Sequence, residues 1–73
     1  MKTANLRVRA DLMQRIRDYI TQQNLTQAQA AQQFGVPQPR ISEIVQGKVE
    51  LFTIDKLINL LAQVGQDIEL QTK

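Results

Sequence analysis

Between Thr26 and Lys48 the chain runs T-Q-A-Q-A-A-Q-Q-F-G-V-P-Q-P-R-I-S-E-I-V-Q-G-K, a spacing that points to two short helices joined by a glycine turn. Thr26 followed three residues later by Gln29 makes a capping box, in which the hydroxyl oxygen accepts from the Gln29 amide and the glutamine side chain reaches back. Leu25 and Ala30 occupy the positions of a hydrophobic staple over the same helix start. Ala30, Ala31 and Phe34 share one face, and the two alanines are small enough for a second helix to cross closely. Gly35 supplies the left-handed backbone that stops the first helix. Val36 leads into the second, whose inward positions read as Ile41, Ile44 and Val45, with Gly47 as its stop.

The flanking segments are read by period. From Ala10 onward Leu12, Ile16 and Ile20 fall on one helical stripe, with Met13 and Tyr19 beside it. Asp11 suits the start of that helix through the macrodipole, and Asn24 suits its end because it tolerates the left-handed conformation. Met1 to Asn5 lack periodicity and read as a frayed end. Leu6 and Val8 alternate with Arg7 and Arg9, which fits either a short strand or the lead-in to the helix. The two motif helices are expected at about Gln27–Phe34 and Gln38–Gln46, within a motif spanning 26–47. Lys48 to Phe52 reads as a connector with Leu51 and Phe52 tucked into the core. Thr53 caps a fourth helix with a buried stripe of Ile54, Leu57, Ile58, Leu61 and Val64, Leu60 lying off it and Gly65 closing it.

After Gln66 the period switches to two, through Asp67, Ile68, Glu69, Leu70 and Gln71, which argues for a strand. A lone strand leaves backbone groups unpaired, so it needs a partner. The candidates are Leu6–Val8, the same strand of a second copy, or another protein's sheet edge. The expected fold is mainly all-α: four to five helices in one domain over 1–73, with a short C-terminal β-strand at about 66–71.

Seventy-three residues bury a modest fraction of their surface, and with no cysteine neither disulfides nor thiolate metal sites reinforce them. Oligomerisation is the remaining reinforcement and is expected on stability grounds alone. No signal peptide is evident and no stretch approaches the roughly eighteen apolar residues of a membrane helix, so a cytoplasmic protein without membrane contact is expected. Histidine is absent and the seven carboxylates are scattered, without a glycine-rich phosphate loop. Catalysis and metal ligation recruit those groups, so neither an enzyme nor a metal or cofactor site is expected. Net charge is +2, weighted toward the front: Lys2, Arg7, Arg9, Arg15 and Arg17 face only Asp11 and Asp18 in residues 1–20, whereas residues 49–73 are net acidic. A polyanion meets the front of such a molecule more readily than the back.

Two helices joined by a turn of a few residues with glycine form a helix-turn-helix, whose second helix fits the DNA major groove. Positions of the second helix that do not face the core are Gln38, Pro39, Ser42, Glu43 and Gln46, with Arg40 to one side. Glutamine bonds bidentately to adenine N6 and N7, serine bonds several base edges, and arginine takes guanine O6 and N7 or a phosphate. Glu43 has two readings: it accepts from cytosine N4, or it turns sideways to pair with Arg40, and base contact is slightly favoured. Pro39 lies in the first helical turn, where its missing amide hydrogen costs nothing. Pro37 stands where a small polar cap is expected, so capping falls to the backbone or to Gln38.

Residues 25–48 resemble the helix-turn-helix of the lambda-repressor/Cro-like (XRE) family, and residues 51–70 (L-F-T-I-D-K-L-I-N-L-L-A-Q-V-G-Q-D-I-E-L) resemble small antitoxins of HigA type. The resemblance implies a glutamine that opens the first motif helix, contacts phosphate and supports its neighbour on the recognition helix, positions matched by Gln27 and Gln38. It places base reading on Gln38, Pro39, Ser42 and Glu43, a phosphate contact on Gln46 and Lys48 beside the backbone. Pro39 and Pro37 depart from the family's polar residues, which removes a base hydrogen bond at Pro39 but leaves contact with a thymine methyl. It further implies a homodimer on a palindromic operator, a repressor that regulates its own operon, and a cognate toxin as partner. Leu60, Ile68 and Leu70 are the candidate dimerisation residues. The alternatives are a free-standing regulator of the same family without a toxin, or a protein-interaction module that never touches DNA.

Overall fold

The long first helix is built on a four-residue spacing that starts earlier than the clearest part of the pattern. The computed structural model describes residues 2–65, and α1 runs from Lys2 to Gln22. Leu12, Met13, Ile16 and Ile20 are buried along it, and half-buried Val8 extends the stripe one turn further back. That spacing makes Leu6–Val8 helix rather than strand, so Asp11 lies within α1 instead of at its start, and Lys2–Asn5 are helical rather than frayed. Leu6, outside the stripe, stays exposed. The chain turns at Asn24, with φ 55°, as its tolerance of the left-handed region allows.

Helix α2 covers Gln27–Phe34 and carries the expected capping box: Gln29 N donates to Thr26 Oγ1 at 3.1 Å, and Thr26 N donates to Gln29 Oε1 at 2.9 Å. Gly35, at φ 71°, ends it, with the amides of Gly35 and Val36 both donating to Ala31 O. Helix α3 covers Gln38–Val45, a one-turn 3-10 segment follows at Val49–Leu51, and α4 covers Ile54–Gln63. Thr53 caps α4 by accepting from Lys56 N at 3.1 Å.

The core gathers Leu12, Met13, Ile16, Ala30, Phe34, Ile41, Ile44, Phe52, Leu57 and Leu61 into one cluster. Each large side chain buried there contributes about 1.5–3 kcal/mol of transfer free energy. Helix α1 packs on α3 and α4, while α2 packs on α3 and α4. Because α4 is covered from two directions, its buried surface is wider than a single stripe. Leu60 joins Leu57 and Leu61 inside at 5% exposure, and Ile54, Ile58 and Val64 are only half-buried. The expectation that Leu60 offers a dimerisation surface is corrected, since its side chain is already committed to its own core.

Two further apolar positions are corrected. Val45 is 42% exposed, because Ile41 and Ile44 already fill the inward face of a two-turn helix and Val45 falls past it. Leu51 is 52% exposed: the 3-10 turn points Phe52 inward and half-buries Val49, leaving Leu51 outward. The strand expected at 66–71, with Ile68 and Leu70, lies outside the described residues. Its possible pairing with Leu6–Val8 is removed, since that segment is part of α1.

Candidate nucleic-acid interface

Helix α3 is held at its two ends by different means. No side chain caps its start: Pro37 is the N-cap residue with φ −63° and ψ 149°, and Arg40 N donates to Pro37 O at 2.9 Å. The backbone therefore does the capping, and Gln38 is left free of that duty. Pro39 sits in the first turn, where a missing amide hydrogen is harmless. At the other end Lys48 N donates to Glu43 O and Gly47 N to Ile44 O, the paired bonds of a Schellman stop around a glycine at φ 77°.

A third clamp comes from α1, and the sequence did not announce it. Arg17 Nη1 donates to Ile44 O at 3.3 Å, the same carbonyl that receives the Gly47 amide. Arg9 Nη1 donates to Val49 O at 3.3 Å and Phe52 O at 3.1 Å, tying the 3-10 segment to the same helix. Neither contact spans fewer than 27 residues, so no local pattern reveals them. Two of the arginines that made the front of the chain look basic are thus turned inward onto carbonyl oxygens. Arg7 and Arg15 remain exposed. Tyr19 adds a link to α2, donating to Gln33 Oε1 at 2.8 Å while its ring meets Phe34 edge-on with centroids 5.7 Å apart.

With Ile41 and Ile44 buried, the opposite side of α3 faces solvent. Gln38, Pro39, Arg40 and Gln46 are exposed there, and Ser42 and Glu43 are half-exposed. Gln27, exposed at the first turn of α2, joins Gln38, Pro39 and Ser42 around one shallow depression of about 450 Å³. Four of the expected contact residues are therefore assembled from two helices into one concave surface. Gln29 does not take part, because its side chain is spent on the capping box.

The polar groups on this face are paired along the helix. Gln46 Nε2 donates to Ser42 Oγ at 3.1 Å, and Arg40 Nη1 pairs with Glu43 Oε1 one turn away. Of the two readings of Glu43, the chain by itself adopts the sideways pairing. Lys48 stands exposed just past α3. Arg40 and Glu43 are the only charged residues of α3, so the helix that would meet a polyanion is neutral overall.

Among the described residues no cluster of His, Cys, Asp or Glu is placed to hold a metal ion, and no helix is long and apolar enough to cross a membrane. No curated protein matches the sequence. A family model described as a helix-turn-helix domain does match, over residues 1–73. The packed pair α2 and α3, the glycine turn between them and the outward polar face of the second helix are what that description requires, and the chain belongs to this helix-turn-helix domain family.

Proposed function

We propose that this protein is a sequence-specific binder of double-stranded DNA that represses transcription, with α3 entering the major groove. The observation that carries this reading is the depression shared by Gln27, Gln38, Pro39 and Ser42, where amide and hydroxyl groups from both motif helices face outward together. Gln38 and Ser42 read base edges, Pro39 meets a thymine methyl, and Gln27, Gln46 and Lys48 approach the phosphates. A neutral α3 makes phosphate attraction modest, so affinity depends on base contacts and on a second half-site. A homodimer with α3 helices about 34 Å apart on a palindromic operator supplies that second half-site. Residues 66–71 are the proposed dimer surface, without Leu60. The chain acts as one domain over 1–73 and is not an enzyme. DNA binding puts it in the compartment that holds the chromosome.

The resemblance of residues 51–70 to HigA-type antitoxins supports the finer reading, an antitoxin that represses its own operon and neutralises a toxin encoded beside it. A gel-shift titration on the DNA upstream of its own gene tests the DNA reading. The native chain is expected to shift that duplex at low salt, with affinity falling as salt rises in proportion to its few cationic phosphate contacts. Gln38→Ala is expected to lose about 1–3 kcal/mol of specific binding while keeping its helical signal. Absence of any shift by the native chain ends this reading and favours a protein-interaction module. Co-expression with the neighbouring gene product tests the antitoxin part, where neither a complex nor a rescue of growth would leave a free-standing regulator.

A further inference from the structure

The pairing of Arg40 with Glu43 on the outward side of α3 has a chemical meaning beyond helix stability. The side chains are 46% and 24% exposed, and they stand one turn apart beside the Ser42–Gln46 bond. One guanidinium nitrogen and one carboxylate oxygen are used in the contact. The rest of the guanidinium donors and the other carboxylate oxygen remain, so the pair presents donors beside an acceptor. In the major groove a G·C pair shows two adjacent acceptors, guanine N7 and O6, followed by the cytosine N4 donor. An A·T pair interposes the adenine N6 donor between acceptors and ends in a methyl group. Two donors followed by an acceptor satisfy all three groups of the first edge. On the second, adenine N7 and N6 take one donor and the acceptor and leave the other donor without a partner.

We propose that Arg40 and Glu43 recognise one G·C base pair as a unit, and that Glu43 withholds Arg40 from the phosphates of DNA lacking that pair in register. This rests on the DNA-binding reading above and assigns the specificity of one position within it. On unrelated DNA, the Glu43 carboxylate is repelled by phosphates and keeps the guanidinium occupied. At the matched position, cytosine N4 donates to the carboxylate while guanine accepts from Arg40, so neither charge is left without a partner. Breaking an exposed ion pair costs little by itself. The restraint off the site therefore comes from the repulsion between an unpaired Glu43 and the phosphates, which is absent where both charges gain partners together. The neutrality of α3 follows from the same pairing: the helix carries its one strong base-reading cation together with the group that restrains it.

The test uses the full chain, its E43Q and R40Q variants and the double variant, each checked for native helical signal. The native chain first selects its site from a random duplex pool, and all four proteins are then titrated against that site and an unrelated duplex over a range of salt. E43Q is expected to bind the unrelated duplex roughly eightfold more tightly near 0.1 M salt, because one released arginine adds a phosphate contact and steepens the salt slope by about 0.9. It is also expected to tolerate substitution of one G·C pair that the native chain requires. R40Q loses the same preference without gaining affinity for unrelated DNA, and the double variant returns to the native salt slope. An E43Q protein with native affinity and slope on unrelated DNA, or with the native G·C requirement intact, overturns the proposal while DNA binding stands. Failure of the native chain to select any duplex overturns the DNA-binding reading itself, and this assignment with it.

Discussion

Gly47 carries two constraints at once. Its φ of 77° lies in the region that costs a side-chain-bearing residue about 1–2 kcal/mol. A Cβ there would also lie 3.1 Å from Arg17 Nη1, whereas at Gly35, with a similar φ of 71°, the nearest atom is the flexible Gln63 amide at 3.7 Å. Gly35→Ala is therefore expected to lose only the backbone strain. Gly47→Ala is expected to lose that strain plus the displaced Arg17–Ile44 bond, about 1 kcal/mol more. Urea denaturation measures both. In an Arg17→Gln background the two alanine substitutions should cost nearly the same, and a persisting difference would show that Arg17 is not the cause. The glycine signals are legible from sequence because they mark helix stops, but the added contact at Gly47 comes from Arg17, 30 residues earlier, and no local pattern shows it.

At the level of elements, the helices of the motif are secured differently. Thr26→Ala is expected to cost about 1 kcal/mol, since the threonine oxygen serves the Gln29 amide and its loss also releases the reciprocal bond. Thr26→Ser should restore most of it, and equal unfolding midpoints for Ala and the native chain would refute the cap. Helix α3 has no side-chain cap of its own: prolines stand at its start, and a Schellman stop and the Arg17 bond to Ile44 O hold its end. At eight residues it is far below the length at which helices hold alone, so burial of Ile41 and Ile44 stabilises it. This explains why capping signals mark the approximate bounds of α2 in the sequence, while the inward set that spacing suggests for α3 takes in Val45, which the structure leaves exposed. Spacing leaves Leu6–Val8 open between strand and helix lead-in for a related reason. Val8 is a single apolar residue one turn ahead of Leu12, and alternation with Arg7 and Arg9 masks its helical spacing, which the structure resolves as helix.

For the whole molecule, Phe34 is the common joint. It ends α2, meets Tyr19 of α1 edge-on, and borders the α2–α4 crevice beside Leu60. Phe34→Ala is expected to cost about 3–5 kcal/mol, a large part of the roughly 4–11 kcal/mol that a chain this short commands. Far-UV circular dichroism should then show a substantially unfolded population at 37 °C. Leu51→Ala, half-exposed on the 3-10 turn, should stay within about 0.5 kcal/mol of native.

The sequence alone determined the helix-turn-helix, its capping box, its glycine stops and the outward places of Gln38, Pro39, Arg40, Ser42, Glu43 and Gln46. Those features are local: each rests on residues three or four apart, or on one residue's backbone preference, and needs no knowledge of the rest of the chain. Only the tertiary structure decided that Leu60 is core, that Val45 and Leu51 are surface, and that Arg9 and Arg17 face carbonyl oxygens. Burial depends on which elements cover a face, and a cation's partner depends on what is folded against it. Both are set by packing between segments far apart in the chain.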